Sequence, residues 1–389
     1  MALRDDRAMA EPFKNLIDQR LIDGAARHLA RAWPGFDAAR FRRLAAAGLE
    51  GLEMKARAMQ IADALEATLP QDFDAAARVI EAALAPIRDA ADDRLSGQRI
   101  SEAGLAGWVV WPLGEFVARR GIDEPERALA VLHALTQRAT AEFAIRPFIV
   151  RHPRLVFDTL ARWTRDPSPH VRRLASEGSR PRLPWGLRLK ALIDDPSPTL
   201  PLLEALVDDP SEYVRRSVAN HLNDIAKDHP ALVVDWVARR LHGASPERRK
   251  LLQHACRTLI KSGDARALAL WGHGRRFAGS ATLGLKPARV ALGGRIEMRL
   301  ALTSRSPRAQ PLVVDYRVHH VKADGGTSAK VFKGWKIELP ARGHVELVKR
   351  HSLKPVTTRR YHAGRHVVEV QANGLVVAEA AFMLAVPKA

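Results

Sequence analysis

One cysteine, Cys256, stands in 389 residues, so neither an internal disulfide nor a thiolate cluster for zinc can form, and a reducing compartment is the expected setting. No apolar run is long enough to cross a bilayer, and the charged start MALRDDRAMA lacks the apolar core of a signal peptide. These absences predict a cytoplasmic protein with no membrane partner. Carboxylates are also short: 43 Asp and Glu face 62 Lys and Arg, and the resulting net charge of +19 favours a polyanionic partner. There is no glycine-rich phosphate loop, no HExxH, no GxSxG and no Cys/His cluster. His319 with His320, and His362 with His366, read as isolated pairs of surface side chains. Any chemistry is therefore expected to run without a metal or other cofactor.

What is present begins with a stretch written twice, DPSPHVRRLASEGSRPRLPW from Asp166 and DPSEYVRRSVANHLNDIAKDHP from Asp209, a repeat of 43 residues. In each copy Asp is predicted to cap a helix that has Pro at its first position, with Glu212 as a capping-box partner of Asp209. Along the second copy Val214, Val218, Leu222 and Ile225 share one helical side, which leaves Arg215, Arg216, Asn220 and Lys227 to face elsewhere. A period of about 40–47 residues with paired helices belongs to HEAT-type solenoids, whose units bury their apolar faces against neighbours.

Helical patterning covers residues 10–95 and, after an expected loop from Ser96 to Leu105, resumes at WVVWPLGEFVARRG. There Pro112 is predicted to open a helix that turns Leu113, Phe116 and Val117 inward and ends at Gly121. The array ends near Trp271, and the grammar then changes to about seven short alternating segments, from ARVALGG to LVVAEAAFMLAV, in the manner of an immunoglobulin-type sandwich. The expected fold is mainly α: a HEAT-like α-α solenoid over 1–271, followed by an all-β sandwich over 272–389. From Trp271 onward 21 Lys and Arg face 7 Asp and Glu, so most of the net charge lies on the β part.

Candidates for chemistry lie in the helical part. Trp111 and Glu115 stand four apart and so share a helix face. Glu142 stands four before Arg146, a spacing that also suits a simple ion pair. Glu177, Asp224 and Trp185 sit in or just beyond the repeated helices, and Trp163 precedes them; capping, salt bridging or packing accounts for each equally well. From Arg138 to Lys190 twelve Lys and Arg face four acidic residues, which makes this stretch basic.

The motifs WPLGEFVARRG, LTQRATAEFAIRPFI, HVRRLASEGSRPRLPWGLRL and YVRRSVANHLNDIAKDHP resemble the AlkC branch of the HEAT-like DNA alkylation repair glycosylases. The resemblance extends over essentially the whole chain. It includes the amino-terminal EPFKNLI and a carboxy-terminal immunoglobulin-like domain, which separates this branch from its AlkD relatives. It implies a monofunctional glycosylase that removes cationic 3-methyladenine and 3-methylcytosine from duplex DNA without flipping the base. A monomer, nucleoid-associated when DNA-bound, is the expected state. By analogy with a Trp and a carboxylate four apart in the AlkD branch, Glu115 is the first candidate for the catalytic carboxylate and Trp111 for its aromatic neighbour. Glu142, Glu177 and Asp224 follow as carboxylates, and Trp163 and Trp185 as further lesion-contacting aromatics. Arg146, Arg172, Arg173, Arg180, Arg182, Arg215, Arg216, Asn220 and Lys227 are the expected DNA contacts, with Arg146 alternatively a wedge into the duplex. The rival reading is a HEAT-repeat scaffold that binds nucleic acid or an acidic protein and catalyses nothing.

Overall fold

Four aspartates fix helix starts by accepting the backbone N–H three residues on: Asp18 from Leu21, Asp37 from Arg40, Asp72 from Ala75 and Asp264 from Ala267, at 2.7–2.9 Å. The computed structural model describes residues 12–87, 89, 92–93, 98–356 and 359–387. The start MALRDDRAMA, Glu11 of EPFKNLI and Ser96 of the expected loop lie outside them. Among the described residues sixteen α-helices run from Gln19–Ala32 to Ala265–Leu270, and eight strands follow. This is a HEAT-like helical array followed by an immunoglobulin-like sandwich. The chain divides into two units, Met1–Asp228 with Ser245–Leu251, and His229–Ala244 with Leu252–Ala389. The helices Pro230–Leu241, Arg257–Ser262 and Ala265–Leu270 thus group with the strands.

The repeated Asp-Pro-Ser is a turn rather than a cap. Ser168 and Ser211 precede the helices Pro169–Glu177 and Glu212–Ile225, while Asp166 and Asp209 accept the N–H of Ser168 and Ser211 at 2.8 and 2.9 Å. The capping box expected of Glu212 does not form; its carboxylate takes Lys250 at 2.8 Å and lies 3.5 Å from Arg216. The 43-residue period reappears in the hydrogen bonds. Arg172 donates to the carbonyls of Asp166 and Pro167, and Arg215 to those of Asp209 and Pro210. Arg172 also grips the Asp209 carboxylate of the next repeat with Nε and Nη2, at 2.6 and 3.1 Å, so the first Arg of each Val-Arg-Arg ties its own turn and, in this copy, the neighbouring one.

In the second unit, β1 (Gly279–Lys286), β3 (Arg295–Ser304) and β6 (His344–Ser352) form one sheet. The other has the order β2 (Arg289–Ala291), β8 (Leu375–Ala385), β7 (Gly364–Ala372), β4 (Gln310–Val321) and β5 (Thr327–Leu339). Alternation along β3 and β4 sends Ile296, Met298, Leu300 and Leu302 to meet Leu312, Val314, Tyr316 and Val318 in the core. The sequence pattern misses β1, whose GSATLGLK is poor in β-formers and is held by an eight-residue antiparallel register with β3.

The expectation that the β-part histidines lie at the surface fails for two of the four. His320 and His366 are buried with ring centroids 5.6 Å apart, and a third, His351, is buried where its Nδ1 meets the Tyr316 hydroxyl at 3.1 Å. Burial first, then the Arg359 charge, pushes His320 down to about 3 and His351 down to about 4. Buried His221 in the helical unit falls to about 3 through burial and then Arg180. An unfolded histidine takes a proton near pH ~6.5, whereas these take none until far lower, so their contribution is intact above that pH and is lost as pH falls towards 4. The unfolding temperature of the full chain is therefore expected to drop steadily between pH 7 and pH 5, above the range where carboxylates titrate. A scanning-calorimetry profile flat over that window would contradict it.

Candidate nucleic-acid interface and active site

The helix Val110–Arg120 is placed by two close approaches made at glycines. Gly107, at φ 79°, sits where a Cβ would meet the Gln98 carbonyl at 2.3 Å, and Gly114 sits where one would lie 3.0 Å from Ala144 Cβ. The second approach sets the turn before Ile145–Arg151 against this helix, and so Phe143 meets the buried Trp111 ring at 4.8 Å. Trp185 also stacks against Trp111, parallel within 7° at a centroid distance of 6.2 Å. Trp185 is 61% exposed and holds a left-handed φ of 65°.

One turn beyond Trp111, Glu115 accepts from Arg119 Nε at 3.1 Å. The same guanidinium also serves Asp63 at 2.6 Å and Glu66 at 3.0 Å on the helix Met54–Glu66. Three carboxylates share one cation, and the local charge is negative.

The other three carboxylate candidates form a different kind of group. Glu142 accepts from Thr140 at 2.7 Å and pairs with Arg173 at 2.8 Å. Glu177 accepts from Arg180 and from Ser217, and Asp224 takes Arg180 at 2.8 Å and Lys227 at 2.9 Å. Burial works against the charged form of Glu177, but Arg173 and Arg180 outweigh it and hold the carboxyl below its usual range. Burial likewise opposes the Arg173 and Arg180 cations; Glu142 and then Tyr213 reverse this for Arg173, and Glu177 and Asp224 for Arg180, so both pKa values rise. Here three carboxylates meet Arg173, Arg180 and Lys227, and Arg146 lies among them.

Several expectations for DNA contacts are corrected by burial. Arg146 is fully buried; it donates Nε to Leu187 O at 2.6 Å and Nη1 to Gly178 O at 2.7 Å, and neither a phosphate nor a duplex can reach it. Burial, then the nearby Arg180, pushes it down to about 10. It is also not the partner of Glu142, which takes Arg173 instead. Arg180 is buried between Glu177 and Asp224. Arg172 is tied to Asp209, and Arg173 is enclosed by Glu142, Glu177 and the Tyr213 ring, 5.0 Å from its guanidinium carbon. Arg215 braces its own turn. Of these cations Arg216 is exposed, whereas Lys227 ties its Nζ to the buried Asp224 and Arg182 is engaged by Asp228; Asn220 is half-buried. Trp163 does not join the other tryptophans: it is buried against His133 at 5.6 Å, where His133 also meets Asp166. Sequence reading passed over Phe143 and the exposed Leu187, Arg188 and Lys190 beside Trp185. Only the basic run from Arg138 to Lys190 pointed at the last two.

Two family models match this chain: one described as a DNA alkylation repair enzyme, over residues 136–259, and one described as the C-terminal Ig-like domain of the uncharacterised protein YhaZ, over 280–386. The chain is 36% identical over 367 residues to the uncharacterized protein YhaZ of Bacillus subtilis (strain 168), covering 93% of this chain and 96% of that protein. It is also similar to the solved structure of the Pseudomonas fluorescens alkylpurine DNA glycosylase AlkC bound to DNA containing an abasic site analog, with a TM-score of 0.85 and 35% identity over 96% of this chain and 100% of that one. Similarity of this extent runs through the helical array and the sandwich together, and the chain belongs to the AlkC family of DNA alkylation repair glycosylases.

Proposed function

We propose that this protein is a monofunctional glycosylase that hydrolyses the N-glycosidic bond of cationic N-alkylated bases, 3-methyladenine and 3-methylcytosine, in duplex DNA without drawing the base into a pocket. The observation that carries the reading is the exposed Trp185 stacked parallel to the buried Trp111, with Glu115 one helical turn along from Trp111 and its charge only partly neutralised by Arg119. A base already positive leaves with the electron pair of the C1′–N bond and becomes neutral, so a general acid is not needed. The sugar left behind is an oxocarbenium-like cation. Tryptophan faces attract such a cation by cation–π interaction, and a carboxylate stabilises it and orients the water that adds to C1′, whose proton passes to the carboxylate or to solvent. The exposed Arg188, Lys190 and Arg216 would meet phosphates, and the positive sandwich supports DNA as its partner as well.

The test is release of free methylated base from alkylated duplex DNA in EDTA, followed by chromatography. Excision of 3-methyladenine and 3-methylcytosine, with no strand cleavage until the abasic site is heated in alkali, is the expected result. Binding to the duplex with no base released would favour the non-catalytic scaffold.

A further inference from the structure

The segment between the helix Pro169–Glu177 and the helix Lys190–Asp194 carries Trp185 in a backbone conformation that a bulky side chain enters only when its surroundings impose it. Leu183 is buried and anchors the segment, Gly186 N–H donates to Leu183 O at 3.2 Å, and Leu189 N–H donates to Pro181 O at 3.2 Å. From beneath, Arg146 binds one carbonyl on each side of Trp185: Gly178 O through Nη1 and Leu187 O through Nε. A planar guanidinium sends these two N–H groups along divergent fixed directions, which an ammonium on a flexible stem does not. Gly186 packs directly on it, with a Cβ there 3.2 Å from Arg146 Nε and 3.1 Å from Leu183 Cδ2. The outcome is that Trp185 and Leu187 face solvent, 61% and 53% exposed, from a segment whose backbone is held from inside.

We propose that Arg146 is a positioning residue: without touching DNA, it holds the 178–188 segment so that the Trp185 ring stands parallel over Trp111. Its consequence for excision rests on the glycosylase reading above; its consequence for the ring pair does not. The stacked indoles of the full-length protein should give an exciton-coupled circular dichroism signal, identified as the part of the spectrum lost in Trp185→Phe. Arg146→Lys is expected to abolish that signal and to slow single-turnover excision at saturating protein by about tenfold. In a Trp185→Phe background the same substitution should slow excision no further, because a residue that acts only through Trp185 has nothing left to act on. Gly186→Ala provides a second route that leaves the buried cation in place: the added methyl stands 3.2 Å from Arg146 Nε and 3.1 Å from Leu183 Cδ2, so these contacts must open by a few tenths of an ångström, and the indole signal should weaken. Two results would overturn the proposal: an indole signal that survives in folded Arg146→Lys, or rate losses that multiply in the double variant. If the parent protein releases no base, the glycosylase reading fails while the spectrum of Arg146→Lys still decides the positioning role.

Discussion

Glu115→Gln is expected to slow base release by about 10²-fold or more while DNA affinity and thermal stability stay near those of the parent. The argument is one of uncompensated charge. Glu142, Glu177 and Asp224 are buried and neutralised at hydrogen-bond distance by Arg173, Arg180 and Lys227, so little of their field is left for a sugar cation. Glu115, one helical turn from Trp111, shares Arg119 with Asp63 and Glu66, so a single cation serves three carboxylates and Glu115 is only partly neutralised. Glutamine keeps the shape and removes the charge. Arg119 still links its helix to Asp63 and Glu66, and a partly exposed pair of this kind contributes only about 0.2–1 kcal/mol, so folding should be nearly untouched. The deciding measurement is single-turnover excision with saturating, verified-folded protein. A rate within about threefold of the parent, roughly 0.6 kcal/mol, would remove Glu115 from the chemistry.

Glu177→Ala is expected to do the opposite: to lower unfolding free energy by about 3–5 kcal/mol, measured by urea denaturation, through the structure rather than the reaction. Removing this carboxylate leaves the buried Arg180 with Asp224 as its one carboxylate, takes one of two acceptors from the Ser217 hydroxyl, and removes the 3.6 Å approach of Arg173. Glu177 is also one of the ties between the helix Pro169–Glu177 and Glu212–Ile225, beside the Ser217–Ser176 hydrogen bond that remains. A loss below about 1 kcal/mol would mean that the group is far better solvated than its burial indicates. Should the folded variant also lose excision as completely as Glu115→Gln, Glu177 would return to the list of reacting groups.

The sequence by itself determined the order of architecture. A 43-residue repeat with apolar positions at helical spacing leaves few options besides stacked helices, and strict alternation after residue 288 requires half-buried strands. It also placed Trp111 and Glu115 on one face, because four residues on a helix is a local geometric fact. Even so, β1 was illegible, since GSATLGLK becomes a strand by pairing with β3 rather than through its own propensity. Tertiary structure alone decided which arginines are available. In the sequence Arg146, Arg172, Arg173 and Arg216 are alike, but whether a guanidinium meets solvent, a carboxylate or a carbonyl depends on which helix stacks over it. Asp209 claims Arg172 from the next repeat, Glu142 claims Arg173 from a distant turn, and the carbonyls of Gly178 and Leu187 claim Arg146. The same long-range packing brought Trp185 over Trp111 and kept Trp163 against His133, a choice that no local spacing encodes.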